Sequence, residues 1–210
     1  MNPMRERAKE HFPTVLLTLL SIVQALALEL LWAHLHEADY LFQPSWIAVI
    51  SWVQIAATLL GIVLIWVVYA ANVMRFRWVP VTSDTVYPFV IGLLEFLLID
   101  TLGADEIGLW LVIMASTFGV MQWVAHSTMR LARRDRDNAA FFADVDPAQL
   151  RDFYPQIAIV CALAFAGLFV LTTGDQGTVA MLALLATNGL LLWQFHNSAE
   201  FWKRSIADDA

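Results

Sequence analysis

Apolar residues fall along this chain in six long runs, at about 13–33, 46–73, 86–103, 107–129, 155–173 and 177–199, separated by short polar turns. Each run has close to the roughly 20 residues that a helix needs to cross the hydrocarbon core of a bilayer. The pattern predicts an all-α integral membrane protein, one six-helix domain built as three antiparallel hairpins. Every hairpin opens on an aromatic-Pro pair, Phe12-Pro13, Tyr87-Pro88 or Tyr154-Pro155. Each closes on a Trp followed by a basic end: 66–77 reads WVVYAANVMRFR, 123–134 reads WVAHSTMRLARR and 193–204 reads WQFHNSAEFWKR. Trp at the interface with Arg or Lys a turn or two later anchors a spanning helix. The recurrence is also what an internal duplication leaves, and both readings stand.

Composition supports lipid as the solvent. Sixty per cent of the residues are apolar and 15% charged, more apolar surface than a soluble fold of this length can hide. The net charge of −7 matters less than where the charges sit. All twelve Lys and Arg fall in the N-terminal segment, at 75 and 77, between 130 and 151, and at 203 and 204. The turns on the other side hold Glu37, Asp39, Asp105, Glu106 and Asp175 and no basic residue. The positive-inside rule then places both termini and the connection 130–154 in the cytoplasm of a bacterial-type cell membrane. Within that connection, Asp146-Pro147 predicts the cap and first turn of a short helix. The one cysteine, Cys161, excludes a disulfide framework and is expected as a small packed hydrophobe.

Candidate chemistry comes from polar residues inside the runs, because a charge there costs several kcal/mol unless it is paired or hydrated. Glu95, seven residues after Pro88, is the clearest, and that spacing places it in the inner half of the bilayer. Glu29 and Asp100 lie nearer the outer ends. Thr14, Thr18, Ser21, Ala25 and Glu29 recur at helical spacing on one face, as either the lining of an aqueous path or a close helix seam. Gln122, His126, Gln194, His196 and Asn197 mark the inner-leaflet ends of the fourth and sixth runs. His126 and His196 occupy matching places, with interfacial hydrogen bonding weighed against a shared haem or metal. His34, His36 and Glu37 are weak metal candidates. Small-xxx-small pairs at 57/61, 115/119 and 162/166 offer close helix approach.

Phosphate-loop, zinc-protease and nucleophile-elbow motifs are absent, which argues against an enzyme. No cofactor is predicted, and the basic segment 130–136 alternates with acids, so anionic headgroups suit it better than nucleic acid. The expected function is a small homo-oligomeric channel or transporter for an inorganic cation or the proton. The alternatives are a structural or sensory membrane subunit that docks partner proteins and, third, a His-ligated membrane redox protein. Glu29, Glu95, Asp100, Thr18 and Ser21 form the expected ion pathway.

Overall fold

The computed structural model describes residues 3–143, 145–175 and 177–207, so Gln176, the acidic tail at 208–210 and the side chain of Arg204 lie outside the description. Among the described residues 88% are helical, none forms a strand, and six helices are long and apolar enough to cross a membrane. The long helices are α1 (Pro3–Glu37), α2 (Trp46–Arg75), α3 (Thr82–Asp100), α4 (Ile107–Arg134), α6 (Tyr154–Thr173) and α7 (Thr178–Ala207), with a single turn, α5 (Ala139–Phe142), before α6.

The helices outrun the apolar runs at several ends. α1 begins ten residues before Pro13, so that proline stands inside the helix and not at its entry. α3 begins at Thr82 and ends at Asp100, four residues earlier at one end and three at the other than the apolar run suggests, with Pro88 inside it. Asp84 explains the early start: its Oδ2 accepts the Val81 N–H at 3.1 Å and the Trp78 Nε1–H at 3.0 Å, capping an end that also favours negative charge. In the segment after α4, residues 145–149 are non-helical and helical geometry resumes at Leu150, so Asp146-Pro147 opens no helix. The Arg133 guanidinium instead ties this stretch to the end of α4, donating to the Val145 and Asp146 carbonyls.

Sequence neighbours do not make the closest pairs. α4 packs most extensively on α6, α2 on α7 and α1 on α3. Gly108 and Gly167 explain the first pair, because a Cβ on Gly167 would stand 2.8 Å from the Gly108 carbonyl oxygen and one on Gly108 2.7 Å from the Leu171 nitrogen. Of the predicted small-residue pairs, Gly61 and Gly119 have nothing within 4 Å of a Cβ position, so they are not the points of closest approach. Cys161, expected in a packed interior, is exposed on α6.

Two apolar clusters fill the bundle. One, at the end carrying the acidic turns, includes Ala27, Leu31, Ile62, Leu98, Trp110 and Leu111. The other, at the basic end, includes Leu16, Leu20, Ile65, Ile91, Val124 and Trp78. Contacts across the basic end draw distant segments together. Lys9 donates to Asp135 at 2.7 Å and Asp137 at 3.2 Å, Arg77 N–H donates to Asn138 Oδ1 at 3.1 Å, and the Arg75 guanidinium lies 4.5 Å from the Phe141 ring centre and 4.7 Å from that of Phe201. Lys9 and Asp135 are both covered. Burial pushes the Asp135 carboxyl up, but the Lys9 ammonium, the Asp137 N–H and Arg5 outweigh it and hold it below its ordinary value.

Candidate functional site

The boundary between the two clusters is polar. On α1, Gln24 stands between Leu20 and Ala27. On α3, Glu95 stands between Ile91 and Leu98, and on α2 Ile62 belongs to one cluster and Ile65 to the other. Glu95 is 1% exposed and Gln24 5%. The Gln24 amide nitrogen donates to the Ile62 carbonyl at 2.9 Å and to Glu95 Oε1 at 3.1 Å. Glu95 Oε2 is buried with no hydrogen-bond partner, and among the described residues no ion pair reaches the carboxyl. Glycine at 92 makes the arrangement possible: a Cβ there would collide with the Val23 side chain, so only a glycine lets α1 come close enough for Gln24 to meet Glu95. Ile62 is sixteen residues from one end of α2 and thirteen from the other, and Glu95 stands thirteen residues from the start of α3 and five from its end.

Outward from Glu95, along the same α1–α3 seam, a groove of ≈ 420 Å³ is lined by Leu30, Leu93, Leu97, His34, Glu37 and Asp100 among others. Three residues singled out in sequence thus share one mouth. Tyr40 OH lies 3.4 Å from His34 Nε2, while His36 is exposed and lines none of it. Among the described residues no three His, Cys, Asp or Glu side chains converge to hold a metal ion.

Thr14, Thr18, Ser21, Ala25 and Glu29 do lie on one face, and all five are exposed on the outside of α1. The buried stripe of that helix is Leu16, Leu20, Val23, Gln24, Ala27 and Leu31. Ser21 accepts the Trp66 indole N–H at 3.3 Å, and Thr18 bonds back to the Thr14 carbonyl at 2.8 Å. Glu29 and Glu95 therefore face away from each other within one chain.

Around α2 lies a second polar set. Gln54, 0% exposed, donates to the Thr101 carbonyl at 3.1 Å and accepts the Gly103 N–H at 3.0 Å. That pair pins the α3–α4 turn, where Gly103 takes φ +142°, open only to glycine. Thr58 accepts the Trp110 indole N–H at 3.1 Å, and Asn188 donates to the Val53 carbonyl at 3.0 Å, tying α7 to α2. These bonds tie α2 to α4, α7 and the α3–α4 turn, while the buried Ser51 hydroxyl on the same helix has no hydrogen-bond partner among the described residues.

On the opposite side of α2 a cavity of ≈ 330 Å³ opens between α2, α4, α6 and α7. Gln122, Gln194 and Asn197 line it together with Gln156 and Ser198. His126 and His196 do not: His126 packs edge-on against Phe153 with ring centres 5.1 Å apart, His196 is exposed on α7, and among the described residues no hydrogen bond or ring contact joins the two. Trp66, Trp123 and Trp193 all point outward, at 44%, 67% and 59% exposure, as anchoring side chains do.

Gln24, Gln54, Asp84 and Asn138 escape a sequence reading. A neutral amide in an apolar run is far less conspicuous than a charge, and Asp84 sits where the sequence suggests a loop. Only the position of Gln24 among Leu16, Leu20, Val23, Ala27 and Leu31, at three- and four-residue spacing, carried a signal. No protein-family model, no curated protein and no solved structure matches the chain.

Proposed function

We propose that this is a multi-pass membrane protein that moves protons, with Glu95 as the group that carries them and Gln24 as the residue that orients it. The observation that carries the reading is the Glu95 carboxyl itself: buried, bonded to one neutral amide, and with its second oxygen unpartnered. A glutamine or a leucine would fill that place at lower cost, since a buried acid with a single neutral donor is expensive in an apolar medium. What a carboxyl adds is a proton that it can take up and give away. A bound metal cation fits poorly, because hard cations take six or more oxygen ligands and this site offers few. The groove holding His34, Glu37 and Asp100 supplies an acidic mouth above the same seam, and such mouths concentrate cations, hydronium included.

Orientation follows from the charge asymmetry: the basic end, with both termini, faces the cytoplasm and the acidic turns face outside. Glu29, exposed on α1 together with the Thr and Ser stripe, supports assembly. Such a face within a bilayer needs a second protein surface or a water-filled path against it, and a homo-oligomer supplies both. The same exposed face is what favours the second reading, a structural subunit docked on other proteins.

Purified protein in liposomes, driven by a pH gradient and read with an internal pH dye, tests the proposal. Glu95→Gln keeps shape and packing, so proton flux should fall at least about tenfold while folding and oligomer size stay as in the wild type. Wild-type liposomes no leakier than empty ones, or flux unchanged by Glu95→Gln, would leave the structural subunit as the better reading.

A further inference from the structure

The α6–α7 hairpin buries its side chains mainly toward one end. Among the described residues, those buried on α6 are Leu163, Gly167 and Val170 and those buried on α7 are Ala180, Leu184, Thr187 and Leu191, all in or next to the halves where the two helices connect. At the basic end no described residue of either helix belongs to the apolar cluster, and α7 is held there by the Arg75 guanidinium over the Phe201 ring. α6 follows α4 and α7 follows α2, so their far halves part, and the ≈ 330 Å³ cavity occupies the gap. Its deep wall is apolar, with Leu64, Ile65, Met114, Phe118 and Leu191. Its other end carries four carboxamides, Gln122, Gln156, Gln194 and Asn197, and the Ser198 hydroxyl. Among the described residues, none that lines it is charged. Gly61 belongs to the wall, and nothing lies within 4 Å of where its Cβ would be. Trp193 lines the cavity and is 59% exposed, so the space reaches the outer surface of the bundle.

We infer that this cavity binds an uncharged amphiphile. Its apolar body lies against Leu64, Phe118 and Leu191, and its carbonyl- or hydroxyl-bearing head meets the carboxamides. The volume falls within the roughly 300–1,000 Å³ of small-molecule sites, which are mostly apolar with a few convergent polar groups. Gln122, Gln194 and Asn197 each carry two N–H donors and one acceptor oxygen, while the Gln156 amide nitrogen faces the Asp152 and Phe153 carbonyls at 3.0 and 3.3 Å and leaves its oxygen, a set suited to ring carbonyls, esters and hydroxyls. An anionic headgroup would lose its water and find no cation here, and an ammonium group would find no carboxylate. A tail longer than the cavity runs out past Trp193 into lipid. This chemistry is shared by a quinone with an apolar tail and by a diacylglycerol. The site is separate from Glu95 and stands whether or not that residue carries protons.

Thermal unfolding of the full-length protein in mild detergent tests it, with a decyl-substituted benzoquinone, dioctanoylglycerol and, as the anionic control, dioctanoylphosphatidylglycerol. A ligand of the folded state raises the midpoint saturably. At least one neutral amphiphile should do so and the anionic lipid should not; a shift with the quinone alone identifies a ring head, and one with the acylglycerol alone an ester head. Gly61→Phe fills the cavity and should abolish the shift. Gly61→Leu, a smaller filling, is run beside it in case the phenylalanine prevents folding. Gln194→Leu should weaken binding about five- to tenfold, the worth of one neutral hydrogen bond. No shift with either neutral compound, an equal shift with the anionic lipid, or a shift that survives in a folded Gly61 variant would each overturn the inference.

Discussion

The two sides of α2 differ in where they place an acid and where they leave room. Toward α1 and α3, the Ile62 carbonyl meets Gln24, and Gln24 meets a carboxyl that is 1% exposed. Toward α4, α6 and α7, the adjacent residue, Gly61, opens onto ≈ 330 Å³ of space lined by neutral amides. Glu95 is closely packed, whereas among the described residues the lining of the ≈ 330 Å³ space carries no charge. In an apolar surrounding an ionisable group survives only if neighbours or water compensate it, whereas a cavity of carboxamides carries no such cost. The proposed proton carrier and the proposed neutral ligand therefore sit on opposite sides of one helix.

Mutations can sharpen or collapse that contrast. The largest effect is expected from Gln24→Leu, which takes from Glu95 its one hydrogen bond and should destabilise the protein by about 2 kcal/mol, read as thermal unfolding in detergent. Adding Glu95→Leu should restore most of the loss, because no acid then remains to be hidden; a double variant as unstable as the single would mean that Gln24 matters for packing alone.

Lys9→Met is expected next. It strips Asp135 of its ammonium partner, yet this pair lies at the end of the bundle under a thin cover, where water still screens it, so the cost should be about 1 kcal/mol. The sign with pH follows from the lowered Asp135 value. Its contribution is present in full above the ordinary carboxylate pKa of about 3.9 and is lost as pH falls through the lower folded value. The gap in unfolding temperature between wild type and Lys9→Met should therefore be constant near neutrality and close below about pH 4. A gap that persists in acid would assign the loss to the lysine stem.

The smallest effect is expected from Gln122→Met. On the open side the side chain faces a cavity, so a residue of similar length is accommodated and stability should change by no more than about 0.5 kcal/mol. A cost equal to that of Gln24→Leu would erase the distinction between the two sides.

Six spanning-length helices and an acid, Glu95, within an apolar run were legible from residue type alone. What could not be read was which face of a helix points inward. In water, polarity marks the outside. In lipid an apolar residue is equally at home in the core and on the surface, so the sign of a periodic pattern is lost. α1 shows it: Leu16, Leu20, Val23, Ala27 and Leu31 form one stripe and Thr14, Thr18, Ser21, Ala25 and Glu29 another, both at helical spacing, and it is the apolar one that is buried. Helix pairing was equally hidden. Turn lengths name sequence neighbours, but the α4–α6 contact depends on Gly108 meeting Gly167, which are 59 positions apart and unremarkable alone. Helix ends failed where polar caps replaced apolar periodicity as the deciding signal, as at Asp84.

The bond from Lys9 to Asp135 joins residues 126 positions apart. Chains grow from the N-terminus, so α1 exists long before its partner. At about 5–20 residues per second, the interval between Lys9 and Asp135 is roughly 6–25 s. Until then Lys9 has no carboxylate to meet at 135 or 137. The apolar contacts of Leu16 and Leu20 with Ile65 and Ile91 need only the first 91 residues, so in order of synthesis this ion pair comes after the packing it sits beside.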